Sequence, residues 1–126
     1  MQVLIVERSI EIITRLEEII SETGRGWIIC KASSYEEATT IIGNNAPDVI
    51  LLDISLPDNG SFSLMEDIKE AGFQTTTIIL SIHDDQFLIN QSKVLGAEFY
   101  FDKYCDFERI PEMLSLIASK RIVNFQ

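Results

Sequence analysis

Four short apolar runs in this chain each lead to a polar residue that can do chemistry. Leu4-Ile5-Val6 runs into Glu7, and Val49-Ile50-Leu51-Leu52 into Asp53. Ile78-Ile79-Leu80 runs into Ser81, and Phe99-Tyr100-Phe101 leads through Asp102 to Lys103. Apolar runs of this length, without polar alternation, fit strands buried on both faces, the condition of a parallel sheet. In such sheets, sites form beyond the carboxyl ends of the strands. Two acids, a hydroxyl and an amine, far apart in sequence, are therefore expected to converge in one crevice.

The segments between the runs read as helices. A strand over Val3–Val6 is followed by a helix from Ser9, with Ile13, Leu16 and Ile20 at helical spacing and Ile12 and Ile19 widening the stripe. Gly24 to Gly26 breaks it, and Trp27–Ala32 is the second strand. Ser34, with Glu37 three residues on, has the pattern of a capping box. Gly43-Asn44-Asn45 ends that helix, and Pro47 bars its continuation. Val49–Leu52, the most apolar run, is placed centrally. Pro57 to Ser61 is a loop, followed by a helix with Phe62, Met65 and Ile68 on one face, which Gly72 stops. Thr76–Ile82 is the fourth strand, and His83-Asp84-Asp85 an acidic turn. The fourth helix carries Phe87, Leu88, Val94 and Leu95 and ends at Gly96. The fifth strand is Glu98–Phe101. The last helix has Pro111 in its first turn, where a missing N–H costs little, and a core face of Met113, Leu114, Ile117 and the stem of Arg121. Five β–α pairs with short connections predict an α/β three-layer sandwich, with helices on both faces of a parallel sheet. Right-handed crossovers favour the flavodoxin-like strand order 2-1-3-4-5.

The 126 residues are expected to form one domain, with no output domain after the fifth helix. The net charge of −10 and the lack of a basic cluster argue against nucleic-acid binding. No run is long enough to span a membrane, and no signal peptide is apparent, so a cytoplasmic location is expected. Cys30 and Cys105 have no metal-ligand spacing and read as reduced structural thiols.

In this order the motifs resemble the receiver domain of bacterial response regulators. The carrying segments are Leu4 to Glu7, Asp48 to Asp58, Ile79 to Ser81, and Gly96 to Lys103; the likeness extends from Val3 to Ile117. The resemblance implies that Asp53 takes a phosphoryl group from a histidine kinase or histidine phosphotransfer protein. Ser81 would then hydrogen-bond a phosphoryl oxygen, and Lys103 would pair first with the carboxylate and then with the phosphoryl group. Glu7, Asp53 and the backbone carbonyl of Ser55 would hold Mg²⁺. Tyr100, facing away from Phe99 and Phe101, would act as an aromatic switch following Ser81. Signalling would pass to a downstream protein through the fourth helix, fifth strand and fifth helix. No separate turnover reaction is expected: the chain is a phosphoacceptor rather than an enzyme.

One position departs from the pattern. The family usually has two adjacent acids after the first strand; here the pair is Glu7-Arg8. Two acids there would leave the cluster with an excess negative charge that magnesium neutralises, whereas the formal charges of Glu7, Arg8, Asp53 and Lys103 cancel. A guanidinium cannot ligate a hard cation. Weak magnesium binding is therefore expected. Arg8 either swings outward or bridges to Asp53 or Glu7. The alternative function is a pseudo-receiver, the same fold used as a phosphorylation-independent interaction module. Ser61 stands where the family tends to have glycine, and Ile82 is bulkier than the residue common after the hydroxyl. A flavodoxin-like cofactor binder would need a glycine-bearing phosphate loop after the first strand, and Glu7-Arg8-Ser9 has none.

Overall fold

A computed structural model of the chain describes residues 1–82 and 86–124, those from 121 onward by backbone alone. The turn His83-Asp84-Asp85 and the side chain of Arg121 lie outside the described residues. The strands are β1 (Gln2–Val6), β2 (Ile28–Ala32), β3 (Val49–Asp53), β4 (Thr76–Ser81) and β5 (Ala97–Asp102). The helices are α1 (Ile10–Ser21), α2 (Tyr35–Asn44), α3 (Gly60–Ala71), α4 (Gln86–Val94) and α5 (Ile110–Asn124), with 3₁₀ turns at Pro57–Asn59 and Phe107–Arg109. All strand pairs are parallel, in the order β2-β1-β3-β4-β5.

The side-chain alternation of each strand feeds two cores, one on each face of the sheet. Leu4, Val6, Ile50, Leu52 and Ile79 pack with Ala38, Ile42, Leu64, Met65 and Ile68 from α2 and α3. Val3, Ile5, Val49, Leu51, Ile78, Leu80 and Phe101 pack with Leu16, Ile20, Ile110, Leu114 and Ile117 from α1 and α5. Each fully buried side chain of this size contributes roughly 1.5–3 kcal/mol by leaving water. β3 is buried at every position, as expected of a strand with neighbours on both edges and helices on both faces.

Local signals set the helix ends. Ser9 Oγ accepts from Ile12 N at 3.4 Å, and Ser34 Oγ from Glu37 N at 3.1 Å. Glu37 answers one residue earlier than in a standard capping box: its Oε2 accepts from Ser33 N at 3.0 Å. Gly72, at φ +73°, ends α3 in the left-handed conformation.

Two expectations change. α3 starts inside the predicted loop, so Gly60 and Ser61 are helical and buried. In α4 the core face is Ile89 and Ser92, while Phe87 and Val94 are 67% and 73% exposed. Phe87 and Val94 lie seven residues apart, on one outer stripe of the helix. Leu88 and Leu95 are half-buried against the core instead. Ser92 is tolerated inside because its hydroxyl donates to the Ile89 carbonyl at 2.7 Å.

Candidate functional site

The sheet delivers Glu7, Asp53, Ser81 and Lys103 to one pole, and all four are buried. Ladder hydrogen bonds continue one step past the strands and fix these ends. Glu7 N donates to Ala32 O at 3.0 Å, Ile54 N to Leu80 O at 3.0 Å, and Lys103 N to Ser81 O at 2.9 Å. The order β2-β1-β3-β4 puts the switch point between β1 and β3 at this pole, because the chain leaves β1 toward β2 on one side and leaves β3 toward β4 on the other.

Lys103 is the hub. Its Nζ lies 2.6 Å from Glu7 Oε2 and 3.2 Å from Asp53 Oδ1. Glu7 Oε2 has no other polar partner among the described residues, so the lysine ammonium compensates its burial. The second oxygen of Glu7, Oε1, accepts from Arg8 N at 3.0 Å and Ser9 N at 3.1 Å, which ties the start of α1 to the cluster. Asp53 Oδ1 also accepts from Ser55 N at 2.9 Å and Ser55 Oγ at 2.7 Å. Asp53 Oδ2 makes no hydrogen bond or ion pair among the described residues. One carboxylate oxygen is thus anchored, and the other is not, among the described residues. Ser81 follows Leu80, the residue paired with Asp53, and Ile82 stands at the rim, 43% exposed.

Arg8 forms no ion pair with Asp53 or Glu7 among the described residues. Its backbone is held by Glu7, its side chain is exposed, and its Nη2 donates to the Ser55 carbonyl at 3.3 Å. It therefore neither bridges the acids nor swings clear of the site, but crosses the mouth of the crevice. Tyr100 faces the α3–α4 side, opposite Phe99 and Phe101, as expected; it is half-buried against that core rather than turned fully outward.

Sequence reasoning missed Ser61 as a support of the site. It is fully buried; its Oγ donates to the Asp53 carbonyl at 2.5 Å and accepts from Leu56 N at 3.3 Å. The signal was available: Ser61 lies on the same helical stripe as Leu64, Met65 and Ile68, and a hydroxyl on a core stripe requires a partner. The left-handed turn before it is carried by Asp58 and Asn59, both at φ 57°, and not by a glycine. Gly60 instead permits a close approach of α3 to α2, since a Cβ there would meet Tyr35 Cβ at 3.2 Å.

A parallel sheet of this order, with a buried aspartate and lysine at its switch point, defines a class of α/β modules built around a strand-end carboxylate. The chain belongs to the response regulator receiver domain family, whose sequence pattern matches residues 3–115. It is similar to sporulation initiation phosphotransferase F of Bacillus subtilis, 27% identical over 109 residues that make up 86% of each chain. It is also similar to the transcriptional regulatory protein MalR of Bacillus subtilis, 31% identical over 92 residues, 73% of this chain and 39% of MalR. The chain spans the same 39% of the transcriptional regulatory protein DegU of Brevibacillus brevis. Among solved structures, the N-terminal domain of an uncharacterized protein from Wolinella succinogenes superposes with a TM-score of 0.88 at 26% identity, covering 98% of both chains.

Receiver domains generally bind Mg²⁺ at the phosphorylation site. The expected donors Glu7, Asp53 and Ser55 do come together here, but cations of the protein already engage them. Lys103 faces both carboxylates, and Arg8 holds the Ser55 carbonyl. Among the described residues no three His, Cys, Asp or Glu side chains form a metal-holding group. Magnesium is usually held by one or two carboxylates and waters, so an ion here would share Glu7, Asp53 and the Ser55 carbonyl with the cationic groups of Lys103 and Arg8. No described helix is long and apolar enough to cross a membrane.

Proposed function

We propose that this chain accepts a phosphoryl group on Asp53 and passes the signal on through protein contacts. The observation that carries this reading is the asymmetry of the Asp53 carboxylate: Oδ1 is fixed by Ser55 and Lys103, while Oδ2 is unengaged among the described residues. Attack by Oδ2 on the phosphorus of a phosphohistidine forms the O–P bond as the N–P bond breaks. The bonding pair stays on the departing imidazole nitrogen, which takes a proton from water. Lys103 and the Ser81 hydroxyl hold the phosphoryl oxygens in this reading. The donor is a histidine kinase or a histidine phosphotransfer protein, and the product is recognised by a downstream protein. Tyr100 and the α4–β5–α5 face carry the change outward, since β5 joins directly to Lys103. The acidic net charge fits a protein partner better than a nucleic acid.

The test is to treat the protein with a small phosphodonor or a purified kinase and map the modified residue by mass spectrometry. A single label on Asp53, lost in Asp53→Asn, is expected. Undiminished labelling in Asp53→Asn would end this reading. Phosphorylation should also move NMR resonances near Ser81, α4 and Tyr100; changes confined to the loop after Asp53 would count against a switch.

A further inference from the structure

Among the described residues, Arg8 is a cation beside Ser55 that the buried cluster does not use. Lys103 is fixed between two carboxylates, so its charge is already balanced. Arg8 is exposed, forms no ion pair among the described residues, and spends one N–H on the neutral carbonyl of Ser55 at 3.3 Å. That bond is long, and its acceptor carries no charge, so it holds the guanidinium weakly. Yet it places the guanidinium across the crevice mouth, next to the residue whose N–H and hydroxyl both bind Asp53.

We propose that Arg8 is the phosphoryl-binding cation of this site, standing in for a divalent ion. The proposal rests on Asp53 being the phosphoacceptor and names the group that receives the new charge. Phosphorylation converts a monoanion into a dianionic acyl phosphate, which the pinned ammonium of Lys103 cannot balance alone. An acid that holds a divalent ion adds one net positive charge to a site, and a single guanidinium adds the same. Its planar fork can leave the Ser55 carbonyl and hold two phosphoryl oxygens at once, an interaction about twice as strong as a neutral hydrogen bond. The exposed position lets the side chain move without unpacking the core. The same positive charge repels an incoming metal, which would have to share the Ser55 carbonyl with it.

The test uses the full chain in metal-stripped buffer. Beryllofluoride is titrated with and without magnesium, and the Ser55 and Lys103 amides are followed by NMR. Trp27 is unsuitable as a reporter, because it precedes β2 at the opposite pole, below the guanidinium of Arg25. Wild type should bind with an affinity that magnesium changes by less than about twofold. Arg8→Ala should weaken binding in stripped buffer by about tenfold or more, and Arg8→Lys, which keeps the charge but loses the fork, by less. Arg8→Asp should bind only when magnesium is present. Binding by wild type that requires magnesium, or Arg8→Ala binding as tightly as wild type in stripped buffer, would overturn the proposal. If wild type shows no response, labelling of Arg8→Asp by a small phosphodonor with magnesium separates two failures. A label on Asp53 removes only the role of Arg8; no label in either protein removes the phosphoacceptor reading as well.

Discussion

β3 and β5 both end in an aspartate, and both aspartates make the same local bond. Asp53 Oδ1 accepts from the N–H two residues on, Ser55, at 2.9 Å; Asp102 Oδ1 accepts from the N–H two residues on, Tyr104, at 2.7 Å. Their surroundings differ. Asp53 closes the central strand and is buried against Lys103. Asp102 closes the edge strand, is half-exposed, and uses Oδ1 again for Cys105 N at 3.1 Å. The local pattern makes a turn in both places. Only at the centre of the sheet does topology add a lysine, a second acid and burial, and so turn a turn-former into a candidate nucleophile.

The largest expected effect separates the two ends by energy. Lys103→Ala leaves Glu7 and Asp53 buried without their counter-charge and should cost about 3–5 kcal/mol in denaturant unfolding. A loss below ~1 kcal/mol, the range of exposed pairs, would mean water already solvates the carboxylates and would erase the contrast. Next, Ser61→Ala strips the Asp53 carbonyl and Leu56 N–H of a buried partner and should cost about 1–3 kcal/mol. A neutral result would show that α3 does not brace the site. Asp102→Ala removes two partly exposed turn bonds and should cost only about 1 kcal/mol, with Asp53 labelling retained. Loss of labelling in that variant would make the edge aspartate part of the chemistry.

The smallest effect leaves stability alone. The negative charge of Asp102, with some desolvation and a hydrogen bond, raises the pKa of the Cys105 thiol above its ordinary value. At mildly alkaline pH, less thiolate is present than in a free thiol, so alkylation is slow although the residue is exposed. Asp102→Asn should lower that pKa and shift the rate–pH curve to lower pH. An unmoved curve would mean Asp102 does not govern the thiol.

The strand order and the convergence of Glu7, Asp53, Ser81 and Lys103 were legible because parallel strands write their burial as continuous apolar runs. Phe87 and Val94 of α4 depart from their apolar pattern, since an edge helix covers too little sheet to bury every apolar residue it carries. The start of α3 was hidden because Asp58-Asn59-Gly60 has turn composition, yet the glycine is already helical. The contact between Arg8 and Ser55 could not be read from sequence. Which of several reachable acceptors a long side chain takes depends on geometry that no spacing encodes.

The two backbone bonds at Glu7 Oε1 also set a clock. Arg8 has an exposed side chain, but its amide and that of Ser9 point at a buried carboxylate. Hydrogen exchange at these two positions therefore waits for the acid–lysine cluster to open rather than for the surface to fluctuate. Their isotope uptake measures how often the pole comes apart, and any ligand that tightens the cluster lengthens that interval.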